Sequence, residues 1–231
     1  MNHSLPLLFS FRRCPYAMRA RMALILCRVQ VKVLEISLKA KPAALVAANP
    51  RGTVPVLLMP DGSALCESLE IMLWASAQTA DSTMKAQLRT NEAAALALIK
   101  RNDSDFKPWL DKYKYFDRHP EHSQQYYREQ AGEFLTELEQ SLLQTPWLLG
   151  DKPGLADIGI FPFVRQFAAV DSNWFATAPY PALRQWLERL LATPAFDACM
   201  YKYPESPEAE NTEAQKDEAQ NSKVQLLKLP D

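Results

Sequence analysis

The 231-residue chain has no Cys-x-x-Cys pair, almost no net charge and no apolar run long enough to cross a bilayer. Its four cysteines, Cys14, Cys27, Cys66 and Cys199, stand far apart. That scatter argues against a zinc ribbon and a disulfide framework, and it suits thiols in a reducing compartment. Histidine is scarce as well. Of three, only His119 and His122 are close; they straddle Pro120 with no sulfur or carboxylate cluster beside them, so no metal site is expected.

A formal charge of -1 supplies no global field to gather phosphate backbones or anionic lipid, so neither nucleic acid nor membrane is an expected partner. The apolar stretch at residues 5–11 is short and runs directly into Arg12 and Arg13, the reverse of a secretory signal, and a cytoplasmic protein is expected. With 48% hydrophobic and 23% charged residues the composition is that of a globular protein. The length suits one small and one medium domain.

Periodicity gives the organisation. Residues 5–10 form a short apolar run, and Pro15 then opens an amphipathic helix with Met18, Met22, Ile25 and Leu26 on one face. An alternating β-branched run at 31–36 leads to an alanine-rich helix after Lys41-Pro42. Residues 54–59, the turn Pro60-Asp61-Gly62 and residues 64–66 read as a hairpin. Glu67 and Ser68 then open a helix carrying Leu69, Met72, Leu73 and Trp74. The order through Gln78 is βαβαββα, a first domain of residues 1–78, followed by a polar linker at 79–83.

Beyond the linker nothing reads as strand. Residues 84–118, 121–143, 156–170 and 181–191 carry helical spacing, the third so apolar that it is the expected buried centre of an all-helical domain at 84–203. Residues 204–231 form a polar tail. From 204 to 222 the chain is rich in Glu, Gln and Ala, which predicts a solvated or disordered segment, and residues 224–229 regain enough apolarity to dock locally.

A proline just before a strand, in Thr53-Val54-Pro55-Val56, removes a ladder donor and is odd unless its peptide bond is cis and the turn has a task. Together with Cys14-Pro15-Tyr16-Ala17 at the mouth of the first helix, this resembles the thioredoxin-like N-terminal domain of cytosolic glutathione transferases, and most closely their cysteine-type, omega-like members. The resemblance spans roughly residues 5–203 and implies a glutathione-binding α/β domain followed by an all-helical domain. It implies Cys14 as nucleophile, Lys41 at the glycine carboxylate of glutathione, Val54 with Pro55 pairing by backbone with the cysteinyl amide, and Glu67 and Ser68 at the γ-glutamyl end. It also implies a homodimer.

In the second domain, Gly154-Leu155-Ala156-Asp157 resembles the family's helix-capping motif, with Gly154 in place of the usual hydroxyl residue. Asp157 is therefore expected to be structural, with half of the reciprocal cap lost. Phe106, Trp109 and Tyr113 share a helical spacing that in this family lines the acceptor pocket. Such a stripe is more commonly core, but the lysines around it would suit a flat or anionic acceptor.

Chemistry follows from placement. A cysteine at a helix start meets unpaired N–H groups and the positive end of the dipole, and such thiols ionise at pKa values of roughly 3.5–7.5. Ala17 stands where a dithiol motif has its second cysteine, so the expected cycle is monothiol, with glutathione resolving the mixed disulfide. Conjugation of glutathione to an electrophile is an alternative, and a non-catalytic interaction module on the same fold is another. Cys27, Cys66 and Cys199 are expected to be small buried hydrophobes. Glu67-Ser68 taken alone reads as an ordinary helix N-terminus; its spacing from Val54-Pro55 agrees with the omega-like pattern, and the resemblance implies a ligand site there.

Overall fold

The structure is a computed structural model that describes residues 5–204 and 224–230. The chain divides into two compact units. One comprises the residues up to Lys85 together with those from Pro194 onward, and the other is Ala86–Thr193.

In the first unit the order is β1 (Leu7–Ser10), α1 (Pro15–Leu26), β2 (Lys32–Glu35), α2 (Ala43–Ala48), β3 (Val56–Leu58), β4 (Ala64–Leu65) and α3 (Ser68–Gln78). This is the thioredoxin-like βαβαββα arrangement that the periodicity predicts. Strands β1 and β2 run parallel, β3 and β4 antiparallel to their neighbours, giving the row β4-β3-β1-β2. Register explains the packing. Phe9, Leu34 and Val56 are cross-strand partners, and they form one face with Ile36 and with Leu45 of α2. Since side chains alternate along a strand, Leu8, Val33 and Leu57 point to the other face, where they are fully buried. That face is left for α1 and α3, which pack against each other.

A fifth strand, β5 (Gln225–Leu226), pairs antiparallel with β2 and completes the row. Leu227 is buried beyond it, its N–H bonded to the Val31 carbonyl at 2.9 Å and its carbonyl accepting from Gln30 Nε2 at 3.2 Å. The apolar end of the polar tail thus docks on an open sheet edge, where backbone groups would otherwise need water. Of the segment at 204–222, expected to be solvated or disordered, all but residue 204 lies outside the described residues.

The second unit contains helices for which the sequence suggested fewer breaks. The stretch 84–118 is divided into α4 (Ser82–Arg89), which begins in the first unit, α5 (Glu92–Arg101) and α6 (Lys107–Lys114). Asn91, at φ 55, interrupts the first pair; asparagine tolerates this left-handed conformation, and its side-chain amide donates to the Leu149 carbonyl at 2.8 Å. Between α5 and α6 residues Asn102–Phe106 form a π turn, in which Lys107 N–H reaches back five residues to Asn102. Pro108 explains the re-registration, since it has no N–H with which to continue the α pattern.

The unit continues with α7 (Gln124–Leu142), α8 (Leu155–Ala168), α9 (Ser172–Thr177) and α10 (Pro181–Leu191). Helix α8 is the buried centre, with nearly every side chain from Leu155 to Val164 enclosed. Helix α11 (Pro194–Cys199), assigned from the sequence to the helical domain, belongs instead to the first unit. It packs on α1, and the Cys199 thiol donates to the Met18 carbonyl at 3.6 Å. Among the described residues no helix is long and apolar enough to cross a membrane.

Candidate active site around Cys14

Cys14 is the residue from which α1 departs. Its own N–H closes a turn onto the Phe11 carbonyl at 3.0 Å, and its carbonyl accepts the first helical bond from Met18 at 2.9 Å. Pro15 at the first helical position has no N–H to satisfy. The Cys14 side chain accepts none of the helix's leading N–H groups, and no acid lies in the first turn to offset the dipole. The sulfur is partly exposed and lies 3.8 Å from the Val54 carbonyl oxygen. The Val54–Pro55 peptide is cis.

The loop before Val54 ties the remaining residues to this point. Gly52, at φ 61, turns its open face to Lys41: an added Cβ would lie 3.0 Å from Lys41 Nζ and 3.1 Å from Cδ. The left-handed conformation favours glycine there, and a side chain would press on Lys41. Arg51 forms an ion pair with the Glu67 carboxylate, and both side chains are more than half exposed. Glu67 stands at the start of α3, where its N–H donates to the Glu70 carboxylate at 3.3 Å. Ser68 is buried, and its Oγ accepts from Arg19 Nε at 2.9 Å, while the Arg19 guanidinium lies over the Tyr16 ring at 5.0 Å.

Cys14, Lys41, Val54, Pro55, Glu67 and Ser68 therefore lie within one unit, linked through residues 51–54 and α1. Sequence reasoning missed Arg51, Gly52 and the bond from Arg19 to Ser68. A signal for Arg19 and Arg21 exists: they are the two charged residues in an otherwise apolar helix, so burial of α1 obliges both to find partners.

The other thiols differ from Cys14 in setting. Burial pushes Cys27 up to about 11, and it raises Cys66 as well, with the nearby Glu70 charge acting in the same direction. Cys66 donates to the Ala48 carbonyl at 3.5 Å. All four cysteines are thiols rather than disulfides, and no cluster of metal-ligating side chains occurs among the described residues.

The three aromatic residues expected to line an acceptor surface are not presented together. Phe106 and Tyr113 are each only 1% exposed. Phe106 stacks on Phe134 at 5.3 Å and Tyr113 packs on Phe167 at 5.0 Å, so both are core rings of the second unit. Trp109 is half-buried beside Tyr126 and Tyr127, with Lys112 Nζ over its ring at 4.9 Å.

Asp157 is an organising centre of the second unit. Its Oδ2 accepts from Gly154 N–H at 2.8 Å, and its Oδ1 accepts from Leu148 N–H at 3.0 Å and Trp186 Nε1 at 2.7 Å. Gly154 has no side chain to return the bond. Burial raises the Asp157 carboxyl above its ordinary range, opposed by these donors.

Comparison with known proteins agrees with this architecture. Residues 8–83 match the glutathione S-transferase N-terminal domain, and residues 75–189 match the glutathione S-transferase C-terminal domain. Maleylacetoacetate isomerase of Pseudomonas aeruginosa is 26% identical over 216 residues, spanning 87% of this chain and 99% of the relative. Glutathione S-transferase omega-1 of Sus scrofa is 25% identical over 198 residues, spanning 82% and 78% of the two chains. A glutathione transferase family member from Pseudomonas fluorescens, solved with two glutathione molecules bound, superposes with a TM-score of 0.70 at 16% identity, covering 87% of this chain and 94% of that one. With a thioredoxin-like unit, a helical unit and both domain signatures in the expected order, this chain belongs to the glutathione S-transferase superfamily.

Proposed function

We propose that the chain is a glutathione-dependent thiol transferase or reductase of the cysteine-type, omega-like kind, with Cys14 as its nucleophile. The observation that carries this reading is the partly exposed Cys14 sulfur at the start of α1, 3.8 Å from the Val54 carbonyl and with no acid in the first helical turn. A thiolate there is stabilised by the N–H groups and dipole of the helix end.

In the proposed cycle the Cys14 thiolate attacks the glutathione sulfur of a glutathionylated substrate. The substrate sulfur leaves with the electron pair and takes a proton, and Cys14 carries a mixed disulfide with glutathione. A second glutathione thiolate attacks the glutathione sulfur of that disulfide, releasing Cys14 thiolate and glutathione disulfide. Across the cycle the substrate is reduced by two electrons and two glutathione thiols are joined, one of them delivered by the substrate. Ala17 cannot contribute a resolving thiol, so the second step is intermolecular.

In this reading Lys41 meets the glycine carboxylate, the Val54 backbone beside Pro55 pairs with the cysteinyl amide, and Glu67 and Ser68 hold the γ-glutamyl end. Arg19 supports Ser68, since a hydroxyl that accepts from the guanidinium keeps its proton for a ligand carboxylate. Trp109 is kept as the acceptor contact, because its ring is the accessible one of the three. The working form is a cytoplasmic homodimer that needs no metal.

The deciding experiment is a panel of disulfide-exchange acceptors and conjugation electrophiles run on the parent and on Cys14→Ser. Loss of exchange with retained binding to immobilised glutathione supports the reading; unchanged exchange removes Cys14 from it. Intact-mass analysis after treatment with oxidised glutathione should find one adduct, mapping to Cys14. A second reading, glutathione-assisted isomerisation without net redox change, is favoured by the bacterial isomerase that aligns over almost its whole length, and an isomerisable acceptor belongs in the same panel.

A further inference from the structure

Behind the Cys14 turn lies a buried ion pair that the proposed cycle does not use. Arg21 is fully buried on α1, two helical turns after Cys14, and Glu35 at the end of β2 is 4% exposed. The Arg21 guanidinium forks: Nη1 donates to Ser10 Oγ at 2.8 Å, and Nη2 donates to the Arg12 carbonyl at 2.7 Å. Nη1 also lies 3.6 Å from Glu35 Oε2, while the other carboxylate oxygen of Glu35 accepts from the Arg12 N–H. The backbone of Arg12 is thus held on both sides, its N–H by the carboxylate and its carbonyl by the guanidinium.

Arg12 is the second residue of the turn that Cys14 closes onto Phe11. Neither member of the pair caps a helix, and an apolar pair of similar volume could fill the same space at little cost or at a gain. Retaining two desolvated charges here does one thing an apolar pair cannot: it fixes the path of the chain from β1 into the N-terminus of α1.

We infer that Arg21 and Glu35 are positioning residues that hold the Phe11–Cys14 turn, and with it the Cys14 sulfur, against the helix N-terminus. The inference rests on the reading of Cys14 as the nucleophile. Arg21 acts through geometry: its planar fork spans Ser10 and Arg12 together, which a single ammonium cannot do.

The test measures the rate of iodoacetamide alkylation of Cys14, mapped by mass spectrometry, as a function of pH on the full chain, alongside the urea midpoint. Arg21→Lys and Glu35→Gln are each expected to slow Cys14 alkylation at neutral pH about tenfold, with the rise in rate displaced to higher pH. The paired variant Arg21→Met with Glu35→Met is expected to recover the urea midpoint of the parent but not its Cys14 rate. A purely structural pair predicts recovery of both, and that result overturns the inference, as does a parent-like profile in Glu35→Gln. A parent protein whose Cys14 reacts no faster than an ordinary exposed thiol would instead overturn the reading of Cys14 itself.

Discussion

Two helix beginnings in this molecule, α1 in the first unit and α10 in the second, solve the same problem in opposite ways. The leading N–H groups of α10 are taken by a buried carboxylate from another helix: Glu139 of α7 accepts from Ala182 at 3.1 Å and Leu183 at 2.8 Å. Ser123 at α7 and Asp171 at α9 each accept from a leading N–H of the helix they precede, and in the first turn of α8 Asp157 reaches back to the Gly154 N–H. At α1 the corresponding position is Cys14, which contributes no such bond, and the first turn contains no acid. The lesson is one of allocation. At the starts of α7, α9 and α10 an anion or hydroxyl accepts the leading N–H groups; at α1 the N-cap and first turn supply neither, and the proposed role of Cys14 draws on that field.

The sharpest way to break this contrast is to fill the α1 end. Cys14→Ser should lower disulfide exchange by more than about a hundredfold while raising stability by about 1 kcal/mol, because serine caps a helix and cysteine does not. Activity assays and urea denaturation on the same sample measure both effects. A loss of stability in this variant would mean that the end is not in want of a cap.

The reverse experiment empties a filled end. Asp157→Ala leaves the Gly154, Leu148 and Trp186 donors without their acceptor and should cost about 3 kcal/mol by thermal or urea unfolding, since each buried unsatisfied donor costs about 1–3 kcal/mol and partial relaxation recovers some. Glu139→Ala should cost somewhat less, about 2 kcal/mol, by unfastening α10. Neither should alter Cys14 alkylation in the folded protein, because both act within the second unit.

Thiol placement gives a pH contrast. Burial raises Cys27 from its ordinary 9.0 to about 11, so the folded state favours the protonated thiol more than the unfolded chain does. Its contribution to stability is complete below about pH 9 and is lost as the pH rises through about 11. Cys27→Ala should therefore show a shallower decline of the urea midpoint between about pH 8 and about pH 11 than the parent. A parallel decline would mean that Cys27 does not ionise in that range.

The smallest expected effect concerns Trp109. Trp109→Ala should raise acceptor KM by about threefold and leave glutathione KM unchanged, a split read directly from steady-state kinetics.

Much of the fold was legible because it depends on local pattern. The alternation at 31–36 and the Pro-Asp-Gly turn specify strands, and the strongly apolar segment at 156–170 specifies the buried α8. The apolar return at residues 224–229 pointed to docking but not to β2, since nothing local encodes which edge is open. The π turn at Asn102–Phe106 and the break at Asn91 were not legible either: helical spacing survives an inserted residue, and the cause becomes visible only with the backbone bonds of Lys107 and the side chain of Asn91. At the site, Cys14 and Val54-Pro55 carried strong local signals. Arg51 and Gly52 did not, because their meaning lies in Glu67 and Lys41, and the roles of Arg21 and Glu35 depend on a long-range pairing that periodicity does not report.

Strand β5 has a consequence for biosynthesis. The carbonyl of Leu227 that meets the Gln30 side chain is 197 residues downstream of it. A ribosome adding about 5–20 residues per second takes roughly 10–40 s over that distance. Throughout that interval the outer side of β2 has no strand β5 from its own chain to cover it, so the nascent protein leaves open an edge that its mature form conceals.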